Sequence, residues 1–319
     1  MPVDTRYLVD PELLPAIDPY PQVALPIESL AEVRAEFSRM LAATPIREDL
    51  PVQREELHVR GPAGAPPVRV LFYRPAVVGG PRPAVLHIHG GGYILGSPDF
   101  ADLSNRLLVA ELGCVVCSVD YRLAPENPHP APVEDCYAVL SWLHDQADSL
   151  GVDGSRVVIK GESAGGGLAA ALALLARDRG GPVITFQHLT YAMIDDRTCV
   201  DPEPHPYVGE FVWTPERNLF GWTALLGRPP GDPDIPAYAA AARATDLTGL
   251  PPAFISVGTL DLFLEENLEY GRRLTRAGVP VEMHVYPGAF HGFGAATAAR
   301  TTLAAARDSR EALRRAMFG

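Results

Sequence analysis

Two rhythms of apolar and polar residues run along this chain. Short runs rich in valine and isoleucine recur at 55–60, 68–74, 84–89, 114–120, 157–160, 183–189, 253–258 and 281–286, with the composition of β-strands. Longer stretches of helical character lie between them, at 102–112, 131–150, 168–179 and 265–277, and a last one covers 297–317. Strands that alternate with helices imply a largely parallel sheet with helices on both faces. The first two strands are separated only by a glycine- and proline-rich turn, which predicts an antiparallel pair.

The alternation is missing in two places. Residues 1–50 are proline-rich at first and then place Leu30, Val33, Phe37 and Leu41 on one face of a helix. An apolar face needs a partner surface, so this segment is either a packing arm or part of a lid. Residues 195–248 hold many prolines together with Phe211, Trp213, Phe220, Trp222 and Leu225. That stretch is too long and too aromatic for a linker, and it reads as a helical insertion over the active site. The expected organisation is one catalytic α/β domain built from 51–194 and 249–319, with cap segments at 1–50 and 195–248.

Composition narrows the function. Acidic residues outnumber basic ones, 39 to 27, for a formal charge of -12; nucleic-acid binding through a basic surface is not expected. The chain opens without a basic region followed by an apolar run, and no stretch is long enough to span a membrane. The expectation is a cytoplasmic protein. Cys114 and Cys117 form C-x-x-C inside a predicted strand, where residues three apart point to opposite faces, so no redox or zinc pair is expected. No H-E-x-x-H or similar ligand spacing occurs, and neither a metal nor a cofactor is implied.

Chemistry concentrates at Gly161-Glu162-Ser163-Ala164-Gly165, between the strand at 157–160 and the helix at 168–179. G-x-S-x-G in that context is a nucleophile elbow. A sharp strand-to-helix turn strains the serine backbone, and side chains two residues to either side would meet neighbouring backbone, hence Gly161 and Gly165. The helix N-terminus behind Ser163 favours negative charge. A serine hydroxyl needs a general base, and the base an orienting acid. Asp261 stands at the end of the strand at 253–258, and His291 lies in the loop after the last strand. The order Ser163, Asp261, His291 suits this architecture. Among the other histidines, His58, His87, His188 and His284 fall within strands, while His129, His144 and His205 lie remote from these strand ends. Glu265 and Glu266 rival Asp261 but fall inside the following helix. His89-Gly90-Gly91-Gly92 is a side-chain-free run at a strand end, so Gly91 and Gly92, with Ala164, are the expected oxyanion-hole donors.

Taken together, His89-Gly90-Gly91-Gly92-Tyr93, Asp120-Tyr121-Arg122-Leu123-Ala124-Pro125-Glu126, Gly161-Glu162-Ser163-Ala164-Gly165-Gly166, Gly258-Thr259-Leu260-Asp261 and Gly288-Ala289-Phe290-His291-Gly292-Phe293 make the chain resemble the hormone-sensitive-lipase-like branch of the α/β-hydrolases, which includes many bacterial carboxylesterases. The resemblance implies a mostly parallel eight-stranded sheet flanked by helices, a helical cap, and the roles given above for Ser163, Asp261, His291, Gly91, Gly92 and Ala164. The chain departs from the family pattern with Glu162 before the serine, where aspartate or threonine is usual, and with Asp261-Leu262-Phe263 where many members have Asp-Pro-Leu. The Asp120–Glu126 motif reads as a turn whose Arg122 and Glu126 tie loops together. Glu162 either anchors the elbow or shapes the pocket floor.

A serine beside an oxyanion hole defines acyl transfer to water. Phe211, Trp213, Phe220 and Trp222 from the cap, with Tyr93 beside the oxyanion loop and Glu162, are the expected substrate contacts, and as a group the aromatics suggest an apolar acyl pocket. The expected function is a serine carboxylesterase acting on small-molecule esters of short to medium acyl chain. A dedicated deacetylase of a secondary metabolite and a non-catalytic small-molecule receptor are the alternatives. A homodimer through the strand at 281–286 stays open, because a sheet edge wants covering.

Overall fold

The computed structural model describes residues 4–17, 29–42, 49–77 and 79–319. Eight strands form one sheet in the order β1-β2-β4-β3-β5-β6-β7-β8. They are β1 (Val52–Val59), β2 (Val68–Pro75), β3 (Arg82–Ile88), β4 (Val115–Asp120), β5 (Val152–Glu162), β6 (Phe186–Thr190), β7 (Ala253–Gly258) and β8 (Val281–Tyr286). β2 runs antiparallel to both β1 and β4, and every other pairing is parallel. The helices are α1 (Leu30–Ala42), α2 (Asp102–Leu112), α3 (Ala131–Asp145), α4 (Ala147–Leu150), α5 (Ala164–Asp178), α6 (Pro215–Leu226), α7 (Leu264–Arg276) and α8 (Arg300–Phe318).

Both faces of the sheet are covered, as the apolar strand runs require. On one face Leu86, Ile88, Val157 and Ile159 pack with residues of α3 and α5; on the other Leu71, Val85, Val116 and Val158 pack with residues of α2 and α8. Cys117 belongs to the first cluster and Cys114 to the second, so the two thiols sit on opposite sides of the sheet. α5 is apolar nearly all round, and its residues from Ala164 to Ala176 are buried.

Several boundaries differ from the sequence expectation, among them the start of β5 at Val152 rather than 157. The strand expected at 183–189 begins at Phe186, because pairing starts only where the chain meets Val158 of β5; Val183, just after Gly181-Pro182, is 65% exposed. The helix expected at 131–150 divides at Gln146 into α3 and α4. The helix after the elbow begins at Ala164 rather than Leu168. Of the apolar face expected on α1, Leu30 is buried against Ile94, Leu95, Ala124 and Ala224, and Val33 packs beside it; Phe37 and Leu41 lie outside the described side chains. Arg34 fastens α1 by donating to the carbonyls of Ile94 and Ala124 and to Glu126. The Asp120–Glu126 motif thus makes two ties: Glu126 holds α1, and Arg122 forms an ion pair with the buried Asp135 of α3.

The elbow rests on main chain meeting main chain. A Cβ on Gly161 would stand 2.1 Å from the Gly165 carbonyl oxygen, and one on Gly165 would stand 2.0 Å from that of Ile88. Gly154, also on β5, has only ordinary contact, 3.6 Å to the Ala147 Cβ.

The centre of the sheet carries a polar row. Ser118, His87, Lys160 and His188 stand in register on β4, β3, β5 and β6. The two-residue period puts them on the face of Val85, Val116 and Val158. His87 Nδ1 lies 2.7 Å from the Ser118 hydroxyl, and His188 Nε2 lies 2.9 Å from that of Ser309 on α8. Burial pushes the pKa of both rings well below the ordinary imidazole value, and that of buried His89 down to about 3.

Two consequences are measurable. Unfolded imidazoles take up protons near pH 6.5 while these three rings stay neutral in the fold. Their contribution is therefore intact above about pH 6.5 and is lost as pH falls, by up to about 1.4 kcal/mol per pH unit for each ring. Glu266, whose carboxyl burial raises well above the usual range, and Asp120, raised by the same cause, oppose this. The melting temperature should fall steadily from pH 7 to about 4.5, and more gently in His188→Gln; a flat profile would refute this account. Gly165→Ala should lower the unfolding free energy by about 3 kcal/mol or more, against less than about 1 kcal/mol for Gly154→Ala, in parallel denaturant titrations.

Candidate active site

Ser163 sits between β5 and α5 with φ 56 and ψ -123. Non-glycine residues rarely adopt positive φ, and such strain costs about 1–3 kcal/mol. Backbone bonds hold it in place. Its N–H donates to the Thr190 carbonyl at 3.0 Å, and its carbonyl accepts from Gly167 and Met193, each at 3.0 Å. The loop after β6 therefore clamps the elbow from one side while β3 passes beneath it.

Three side chains distant in sequence meet there. His291 Nε2 lies 3.0 Å from the Ser163 hydroxyl, and His291 Nδ1 lies 2.9 Å from Asp261 Oδ2. Asp261 is fully buried, and its other oxygen accepts from the Phe263 N–H at 2.9 Å. A carboxylate on Nδ1 keeps the proton on that nitrogen and leaves Nε2 free to accept from the serine hydroxyl. Tyr191 and Phe263 turn ring edges to the imidazole at centroid distances of 4.8 and 5.1 Å, which fixes its orientation. Neither was foreseen. Tyr191 could have been, since it directly follows β6 at the end of the sheet that carries the site.

The rival acid Glu266 is used elsewhere. Buried on α7, it accepts from the N–H groups of Ile194 and Asp195 and from the Thr198 hydroxyl. Its neighbour Asn267 bonds both the N–H and the carbonyl of Ala192. Together they shape the loop that clamps Ser163.

A cavity of about 800 Å³ opens over Ser163, lined also by His291, Gly91 and Gly92. Gly91 and Gly92 have φ of 120 and 61, and a Cβ on Gly92 would run into the Trp213 ring at 2.0 Å. Ala164 opens α5, where a helix's first N–H groups lack intrahelical acceptors. Gly91 and Gly92 thus stand at the cavity beside Ser163, and Ala164 follows the serine directly.

Of the six expected substrate contacts, Trp213 and Glu162 line the cavity and four do not. Tyr93 is fully buried and donates its hydroxyl to the Met193 carbonyl at 2.6 Å. Trp222 is fully buried against Tyr93. Phe211 packs edge-on against Phe290, and Phe220 joins the cluster beneath α1. Their apolar area is consumed in packing residues 195–248 and α1 onto the rest of the fold. The cavity wall instead includes Val33 of α1, Leu95, Phe100 and Val212.

Beside Ser163 the wall is polar. Glu162 Oε2 lies 3.0 Å from His87 Nε2, and Glu162 Oε1 pairs with the Lys160 ammonium. Burial lowers the Lys160 pKa to about 8, against the pull of the carboxylate on its ammonium. Among the described residues, no three His, Cys, Asp or Glu side chains gather as a metal-binding group, and no helix is long and apolar enough to cross a membrane.

The family model described as alpha/beta hydrolase fold matches residues 85–295. Esterase LipI of Mycobacterium tuberculosis is 35% identical over 293 residues, covering 91% of this chain and 89% of its own. Carboxylesterase NlhH of the same species is 36% identical over 309 residues, covering 92% and 91%. Among solved structures, a bacterial heroin esterase superposes with a TM-score of 0.91 at 39% identity, covering 99% of this chain and 100% of the other. Because the matched span runs from β3 through the elbow to the loop of His291, the chain belongs to the α/β-hydrolase family, in the hormone-sensitive-lipase-like branch that its motifs resemble.

Proposed function

We propose that this protein is a serine carboxylesterase that hydrolyses small-molecule esters through an acyl-enzyme intermediate. The observation that carries the reading is the unbroken hydrogen-bonded chain from Ser163 through His291 to Asp261 at 3.0 and 2.9 Å. The activities for which relatives are named agree with it: besides the mycobacterial enzymes, an arylesterase of Saccharolobus solfataricus is 33% identical and an ethyl acetate hydrolase of Pseudomonas putida 31%.

In this mechanism His291 takes the Ser163 proton as the oxygen attacks the ester carbonyl. The buried Asp261 carboxylate stabilises the imidazolium that forms. The N–H groups of Gly91, Gly92 and Ala164 receive the oxyanion, a contribution on the order of 10²–10³ in turnover for each fixed donor. His291 then returns the proton to the leaving alcohol, and water repeats the sequence to release the acid. α1 and residues 195–248 act as the cap: Val33 of α1, Val212 and Trp213 close the cavity over the ester. Trp213, between Gly92 and the imidazole, limits the acyl chain.

Ser163→Ala should reduce kcat/KM on p-nitrophenyl butyrate by about 10⁴-fold or more with an unchanged melting temperature; comparable rates in the two proteins would discard the reading. Trp213→Leu should raise the ratio of octanoate to butyrate hydrolysis several-fold. A chain-length profile identical to wild type would remove Trp213 from the acyl pocket.

A further inference from the structure

The polar wall beside the nucleophile has a feature that ester hydrolysis alone does not require. Lys160 is the only lysine in the chain. It lies on the sheet behind Glu162, its side chain 13% exposed against 26% for Glu162. Glu162 and His87 line the cavity. A largely buried ion pair adds little to stability compared with apolar side chains of similar size, so folding alone does not account for this one.

The hydrogen-bond pattern determines what the wall offers. His87 Nδ1 faces the Ser118 hydroxyl at 2.7 Å and the Asn105 amide nitrogen at 3.4 Å. Its proton therefore sits on Nε2 and is donated to Glu162 Oε2 at 3.0 Å. Lys160 donates to Oε1 from behind. His87 thus spends its N–H on the carboxylate, and Lys160 does not line the cavity, so neither offers a donor to a ligand. Each carboxylate oxygen accepts more than one hydrogen bond, so the exposed part of Glu162 presents acceptor capacity to the cavity. Ser104, another lining residue, donates its hydroxyl to the Ala101 carbonyl, which leaves its oxygen acceptor capacity only.

We propose that Glu162 is a specificity-determining residue whose carboxylate, braced by Lys160 and His87, accepts a hydrogen bond from a hydroxyl or ammonium group carried by the ester. The cavity is then amphiphilic. Trp213 and Val212 take the apolar part of the substrate, and the Glu162 wall takes a donor group near the scissile bond. The preferred substrates are esters bearing a hydroxyl or amine rather than plain alkyl esters. This inference rests on the esterase reading above.

The test compares isosteres: ethyl butyrate, ethyl 3-hydroxypropanoate and ethyl 3-aminopropanoate on the acyl side, propyl acetate and 2-hydroxyethyl acetate on the alcohol side. Rates are corrected for alkaline hydrolysis of each ester. Wild type should favour the donor-bearing ester on at least one side. In Glu162→Gln and in the paired Lys160→Met/Glu162→Leu, which strands no buried charge, the polar-to-apolar ratio of kcat/KM should fall on the order of 10- to 100-fold, the loss of a hydrogen bond to a charged group. Labelling of Ser163 by a fluorophosphonate reports whether the nucleophile is intact in each variant. Equal loss on both members of a pair, or an unchanged ratio, assigns Glu162 a structural role and overturns the proposal. So does a wild type with no preference for the donor-bearing ester, whatever the variants do. Failure of wild type to hydrolyse any of the esters would instead count against the esterase reading.

Discussion

Beneath Ser163, backbone passes backbone with no room for a side chain. The Gly165 Cα faces the Ile88 carbonyl of β3, and Gly161 faces Gly165 across the turn. Gly90 meets the Glu162 carbonyl from the other side, where a Cβ would stand 3.0 Å from the oxygen. This three-way approach dictates the serine's φ of 56. The strained conformation persists because its surroundings over-determine it: two parallel strands fix the incoming chain, a buried α5 fixes the outgoing one, and the end of β6 and the loop after it bond the N–H and the carbonyl of Ser163. The hydroxyl is therefore placed by main chain before any partner side chain is considered.

The same logic explains what could be read in advance. Glycine is a backbone signal, so the elbow, the Gly90-Gly91-Gly92 run and the strand ends that carry Asp261 and His291 were legible as residue types in order. The eight strands were legible because burial on both faces leaves a run of apolar residues. The pocket wall was not. An aromatic side chain looks alike in sequence whether it faces a cavity or a core, and only the seating of residues 195–248 decides. Trp213 reaches the cavity while Trp222, on α6 nine positions later, is swallowed by the core against Tyr93. The boundary of β6 was missed for a related reason: Val183 has strand composition, but β5 offers it no partner, and pairing rather than propensity decides where a strand starts.

The polar row across the sheet is the other element that composition hides. His87 and His188 looked like structural strand residues, and His188 is one, stacked on Phe254 and bonded to Ser309. His87 differs through a contact that no spacing rule announces, with Glu162 two residues beyond Lys160 on the neighbouring strand. The two-residue strand period sends Lys160 and Glu162 to one face, and parallel register sets His87 beside Lys160. A solitary lysine, a carboxylate at the elbow and a buried histidine thus become one hydrogen-bonded unit only after the sheet is assembled.

This division has a consequence for how such a protein can vary. The proposed catalytic groups depend on main-chain geometry that tolerates no change at Gly161 or Gly165. The wall draws side chains from α1, the start of α2 and the segment at 212–217, elements that do not set the position of Ser163. A solved structure of 39% identity superposes on this fold with a TM-score of 0.91. Glu162 lies where the two regimes meet. Its backbone is paired with Thr190 as part of the elbow strand, and its side chain belongs to the wall. At that one position, identity is constrained by the serine next to it and by the ester in front of it. A carboxylate there must serve both, and Lys160 and His87 hold it in one orientation by hydrogen bonds to its two oxygens.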